Sequence, residues 1–157
     1  MDPEFRALGV PRKERGARTD ELIAFLQQSF TEDVVRRNGQ DFLFDPKPPL
    51  PPIYLGGAAA HALPRSVRFG CGWLPMSSNP DKLARDIEHF SALAKASNVP
   101  RGPVTVMGNL PLEDTGEASA RLQRFSELGV DRFVCGHRYN TLSEYKDRLA
   151  LLATLSA

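Results

Sequence analysis

Two adjacent glycines, Gly56 and Gly57, are the first residues here whose type and spacing suggest chemistry. Lacking side chains, they let backbone N–H groups approach a phosphate, and a helix beginning around Ala58 adds the partial positive charge of its N-terminus. The same pair also serves a plain strand-to-helix turn. Ser77 and Ser78 carry hydroxyls that can hydrogen-bond an anion or cap the helix that follows. His137 and Arg138 stand side by side near the end of the chain. Arg offers a bidentate clamp for an anion and His a proton donor or relay; a solvated loop accounts for the pair as well. Gly108-Asn109 reads as a turn, His61 as a weaker candidate beside the glycines, and His89 as a surface residue. Cys71 and Cys135 lie 64 positions apart, with no CxxC and no His pair at ligand spacing, so two free buried thiols and no metal site are expected. No residue is assigned a catalytic role.

Four short β-rich runs must position these groups: Ile53–Leu55, Trp73–Met76, Val104–Met107 and Phe133–Cys135. Their starts differ by 20, 31 and 29 residues, against roughly 31 per unit in a (β/α)8 barrel. Helical patterns separate them. Between Pro80 and Ser97, Leu83, Ile87, Phe90 and Ala94 form one apolar stripe, with Asn79 as N-cap and Pro80 at the first helical position. Between Glu117 and Leu128 the stripe is Ala118, Leu122 and Phe125, and Gly129 stops the helix. The last helix presents Leu142, Tyr145, Leu149 and Leu152 behind a Thr141–Glu144 capping box. An earlier helix, about 12–30, presents Leu22, Phe25, Leu26 and Phe30, and Asn38-Gly39 after it suggests a small hairpin. Pro64 lies where a helix should follow the glycines, so that helix is expected to start late, near His61–Leu63, or to kink.

Alternating strands and helices imply an α/β fold with a parallel sheet, and strands apolar on both faces fit a buried one. The 157 residues, 41% hydrophobic and 25% charged, can bury a core. Twenty basic against 19 acidic residues give no reason to expect nucleic acid or an acidic membrane as partner. No apolar run approaches the roughly 20 residues a bilayer span requires, and a cytoplasmic protein is expected.

Four phrases in order, Ala7–Glu21 (ALGVPRKERGARTDE), Pro51–Gly57 (PPIYLGG), Gly70–Pro75 (GCGWLP) and Glu127–Gly136 (ELGVDRFVCG), resemble the later half of the luciferase-like monooxygenase family. The resemblance implies an oxidoreductase on a (β/α)8 barrel using FMN or the deazaflavin F420. It further implies that this chain is the C-terminal half of the barrel, strands five to eight, without the strands that hold most of the flavin ring. Gly56, Gly57 and Ala58 then belong to the cofactor-phosphate site, with Ser77, Ser78, His137 and Arg138 on the same face, because barrel active sites gather at strand C-termini. Cys71 replaces the Asp that relatives carry in GDGW and, preceding a strand, belongs to the structural face; Trp73 packs in the barrel wall.

Residues 1–5 read as a cloning-vector remnant, with the half-barrel at 6–157. A half-barrel leaves two strand edges and an apolar face unpaired, so a homodimer is expected. The competing reading is a non-catalytic module for binding or self-association.

Overall fold

The computed structural model describes residues 2–155 and divides into two compact units, Met1–Pro52 and Ile53–Ala157. In the first, a short helix α1 (Asp2–Ala7) and a 3-10 turn (Arg12–Glu14) precede α2 (Arg15–Thr31) and the strands β1 (Val34–Arg37) and β2 (Gln40–Leu43). The strands form the antiparallel hairpin that Asn38-Gly39 announced. Both turn residues have positive φ, 51° and 77°, as a type I′ turn requires. Its apolar contents are modest. Val35 is buried, Phe25 meets Phe42 at 6.3 Å between centroids, and Phe30 meets Phe44 edge-on at 5.1 Å. The α2 stripe differs from expectation: Ile23 is buried, whereas Leu22 and Leu26 are about half exposed. A two-stranded hairpin is too narrow to cover the whole apolar arc of a 17-residue helix.

The second unit carries the parallel strands. β3 (Tyr54–Gly57) pairs with β4 (Gly72–Pro75), and β5 (Thr105–Gly108) pairs with β6 (Arg132–Cys135). A parallel bridge between Trp73 and Val104 joins the pairs, reinforced by the Trp73 N–H donating to the Pro103 carbonyl at 2.8 Å. The strand order is therefore sequential, β3-β4-β5-β6. Between them run α3 (Ala59–Phe69), α4 (Pro80–Ala96) and α5 (Thr115–Glu127), and α6 (Leu142–Leu155) follows. Sequential parallel strands joined by crossovers of one hand place all the connecting helices on one face. The core agrees: Leu63 from α3, Leu83 and Phe90 from α4 and Phe125 from α5 pack against Trp73, Val104 and Val106. Trp73 packs as expected, 1% exposed and edge-on to Phe90. This is α/β with parallel βα units, and the four strands do not close into a barrel.

Side chains alternate along a strand, so the residues between these core positions face the other way. There Thr105 is buried, whereas Met107 is 59% and Val134 38% exposed. Near the N-terminal ends the Tyr54 ring lies over Gly72, where an added Cβ would come within 2.5 Å of it.

Three local expectations need correction. α3 does not wait for Pro64: it starts at Ala59 and carries the proline inside. Proline has no N–H for the Ala60 carbonyl, and the buried Ala62, Leu63 and Ser66 hold the helix against β4, with Ser66 Oγ donating to the Gly72 carbonyl at 3.2 Å. α6 buries none of its residues; Leu142 is 67% exposed, and only Leu152 and Leu155 pack against the cluster of Leu110, Leu112 and Ala118. Cys135 packs against that same cluster but is half-buried, not fully buried.

Candidate functional site at the strand C-termini

The C-terminal strand ends lie side by side. Gly56 and Gly57 form the second half of β3, opposite Leu74 and Pro75 of β4, rather than the turn after it. Gly57 has φ +123°, where a side chain is strained, and a Cβ there would point into open space. The extended residue Ala58 then opens α3, its carbonyl accepting from the N–H groups of His61 and Ala62 at 3.0 and 2.9 Å. Ala58 has no side-chain oxygen with which to cap the first turn.

The other crossover helices differ. Asn79 accepts from the Lys82 N–H at 3.0 Å, and Asp114 from the Glu117 N–H at 2.9 Å. Thr141 accepts from the Glu144 N–H at 3.2 Å, while the Glu144 carboxylate reaches back to the Asn140 N–H. In α3 the N–H groups of Ala59 and Ala60, too early in the helix for an intrahelical acceptor, carry no side-chain cap.

The loop after β4 holds Ser77 and Ser78. Ser77 Oγ is engaged by the Asn79 N–H at 3.2 Å, a turn-forming role. Ser78 approaches the loop after β5: a Cβ on Gly108 would stand 3.6 Å from that of Ser78. The β6 loop joins them, with Gly136 N–H donating to the Gly108 carbonyl at 2.8 Å. Thus the segments at 57–58, 77–78, 108–109 and 136 follow one another along one edge of the sheet. His61 is exposed on the first turn of α3, and His89 is exposed on α4.

His137 and Arg138 part company. Arg138 is exposed, whereas His137 is half-buried, its Nδ1 3.2 Å from Arg148 Nη1 on α6. Guanidinium only donates, so in this contact Nδ1 is the accepting atom. The pairing of His with Arg that the structure builds is therefore His137 with Arg148. An available signal was Arg148 set within the helical stripe of Tyr145, Leu149 and Leu152.

The opposite, N-terminal edge is structural. Asp131 Oδ2 accepts from the buried Val104 N–H at 2.8 Å and from Arg101 at 3.3 Å. Cys71 is buried at this end, its thiol donating to the Phe69 carbonyl at 3.6 Å, and burial pushes its pKa up. Among the described residues no three His, Cys, Asp or Glu side chains gather as a metal cluster. No described helix is long and apolar enough to cross a membrane.

The family model described as luciferase-like monooxygenase matches residues 1–156. The chain belongs to the luciferase-like monooxygenase family. Uncharacterized proteins of Mycobacterium bovis and of two Mycobacterium tuberculosis strains are each 33% identical over 96 residues, 57% of this chain and 33% of theirs. The match thus spans about a third of the length of these curated relatives. In the luciferase-like chain, the PPIYLGG phrase builds β3, GCGWLP builds β4, and ELGVDRFVCG runs from the end of α5 through β6. The Asp131 clamp gives the last phrase a structural reason that residue type alone did not reveal.

Proposed function

We propose that this chain is part of a flavin- or F420-dependent oxidoreductase and holds the phosphate end of its cofactor, FMN or F420. The observation that carries this reading is the turn from β3 into α3: Gly57 at φ +123° beside open space, then a helix start with no side-chain cap. Such a start is a ready anion site, since its N–H groups and dipole favour negative charge. The residues present fit a phosphate group. Ala59 and Ala60 offer backbone N–H donors at the helix start. When bound, the cofactor supplies the hydride or electron chemistry. The chain's own part is to bind and orient its anionic end.

The uncovered sheet face supports a second proposal, that further βα units complete it. In a homodimer, β6 of each copy would pair with β3 of the other, closing eight parallel strands around a two-fold axis. Without cofactor binding, the same surface would serve a self-association module.

Titration with FMN and with F420, followed by cofactor fluorescence, tests the primary reading. Saturable binding that Gly57→Val abolishes is expected, with circular dichroism showing that the variant folds. No binding to this chain, nor to a full-length mycobacterial relative, would leave only the self-association reading.

A further inference from the structure

Between β6 and α6 lies a cleft of about 210 Å³ lined by Cys135, Gly136 and residues of the following loop and helix. Tyr139 and Tyr145, packed against each other with ring centroids 4.9 Å apart, form one of its walls, and Leu149 and Leu152 add apolar surface. Its one charged lining residue is Arg148, whose side chain is 31% exposed. Arg148 commits Nη1 to His137 Nδ1 at 3.2 Å and to Glu113 at 3.5 Å. The Glu113 contact is long for a charge-assisted hydrogen bond, and that carboxylate is 78% exposed, so it neutralises the guanidinium weakly. Nε and Nη2 of Arg148 have no partner among the described residues. His137 matters here through Arg148: as an acceptor on one guanidinium nitrogen, it fixes the plane of the fork.

We infer that this cleft binds a small carboxylate carried on a single flat or apolar ring. The argument is one of complementarity. A carboxylate matches the spare N–H groups of a planar guanidinium, and a ring body matches two tyrosines and two leucines. Size selects among anions: typical ligand pockets run from about 300 Å³ upward, so this cleft suits one ring and excludes a whole flavin or deazaflavin. The inference does not depend on the cofactor reading, because the cleft needs neither Gly57 nor the α3 start. A failure of FMN to bind would leave it standing.

The probe is benzoate, titrated into the whole chain while the Tyr139 and Tyr145 ring resonances are followed by NMR. Saturable shifts are expected. Benzamide, uncharged but of the same shape, and acetate, charged but ringless, should each bind roughly tenfold or more weakly, as loss of a charge-assisted hydrogen bond or of the ring contact requires. Arg148→Met should weaken benzoate to the level of benzamide, and Arg148→Lys should fall between. Absence of saturable shifts would overturn the inference, as would benzamide binding as tightly as benzoate. Undiminished affinity in a folded Arg148→Met protein would do the same. If that variant does not fold, the comparison of benzoate with benzamide on the unaltered chain decides.

Discussion

The two faces of the parallel sheet behave oppositely. On one, Trp73, Val104 and Val106 are sealed beneath helices, each no more than 1% exposed. On the other, Met107 and Val134 stand open to solvent. Parallel sheets are ordinarily covered on both faces, and the exposed Met107 and Val134 depart from that pattern. The two ends of the strands differ in the same way. At the N-terminal end, polar groups are spent on structure, as in the Asp131 clamp on Val104 and Arg101. At the C-terminal end, the α3 start and Arg148 keep donors unspent. The covered face and N-terminal edge hold the fold; the proposed partner and ligand sites lie on the open face and C-terminal edge.

That division can be broken by substitution. The largest effect belongs to Trp73→Ala, which empties the centre of the covered face and should cost about 3–5 kcal/mol in urea unfolding. A loss below about 1 kcal/mol would mean that the face is not the core. Next is Asp131→Ala, which strands the buried Val104 N–H and should cost about 1–3 kcal/mol. Asp131→Asn, which keeps an acceptor, should recover part of that loss.

Cys71 adds a pH dependence. Its thiol stays protonated in the folded chain above the ordinary value of 9.0, where an unfolded chain already releases the proton. Its contribution is therefore intact below about pH 9 and is lost as the pH rises from there toward the raised folded value. Cys71→Ala should flatten this alkaline decline in a stability–pH profile; an unchanged slope would assign it to other groups.

The smallest effect should come from the open face. Met107→Ala with Val134→Ala should change monomer stability by no more than about 0.5 kcal/mol, and the homodimer proposal adds that it weakens self-association in sedimentation velocity. A large loss of monomer stability would show that this face is a core.

The covered face was the legible one. The stripe of Leu83, Ile87, Phe90 and Ala94 and the Asn79-Pro80 start appear in the structure as the sequence reads, because burial and helical period act together there. The hairpin at Asn38-Gly39 was legible through turn chemistry. α6 misled, since its leucines repeat at helical spacing but meet little surface to bury them, and α2 misled for the same reason. Pro64 misled in the other direction: packing of Leu63 and Ser66 outweighs a local penalty. The strand ends were legible in the sequence, although Gly56 and Gly57 belong to β3 itself and not to the loop after it. The Asp131 clamp and the His137–Arg148 contact were not, because each joins residues far apart in sequence through a fold that spacing cannot supply. Asp114 was missed because the helix starts two residues before Glu117, the first residue of the expected segment.

The claim that the β3–α3 turn holds the phosphate end of the cofactor is tested most directly by NMR of FMN titrated with this chain. The account predicts that the phosphorus resonance shifts saturably, that the isoalloxazine ring protons move far less, and that Gly57→Val removes the phosphorus shift. Ring protons that shift while the phosphorus stays at its free position would contradict it.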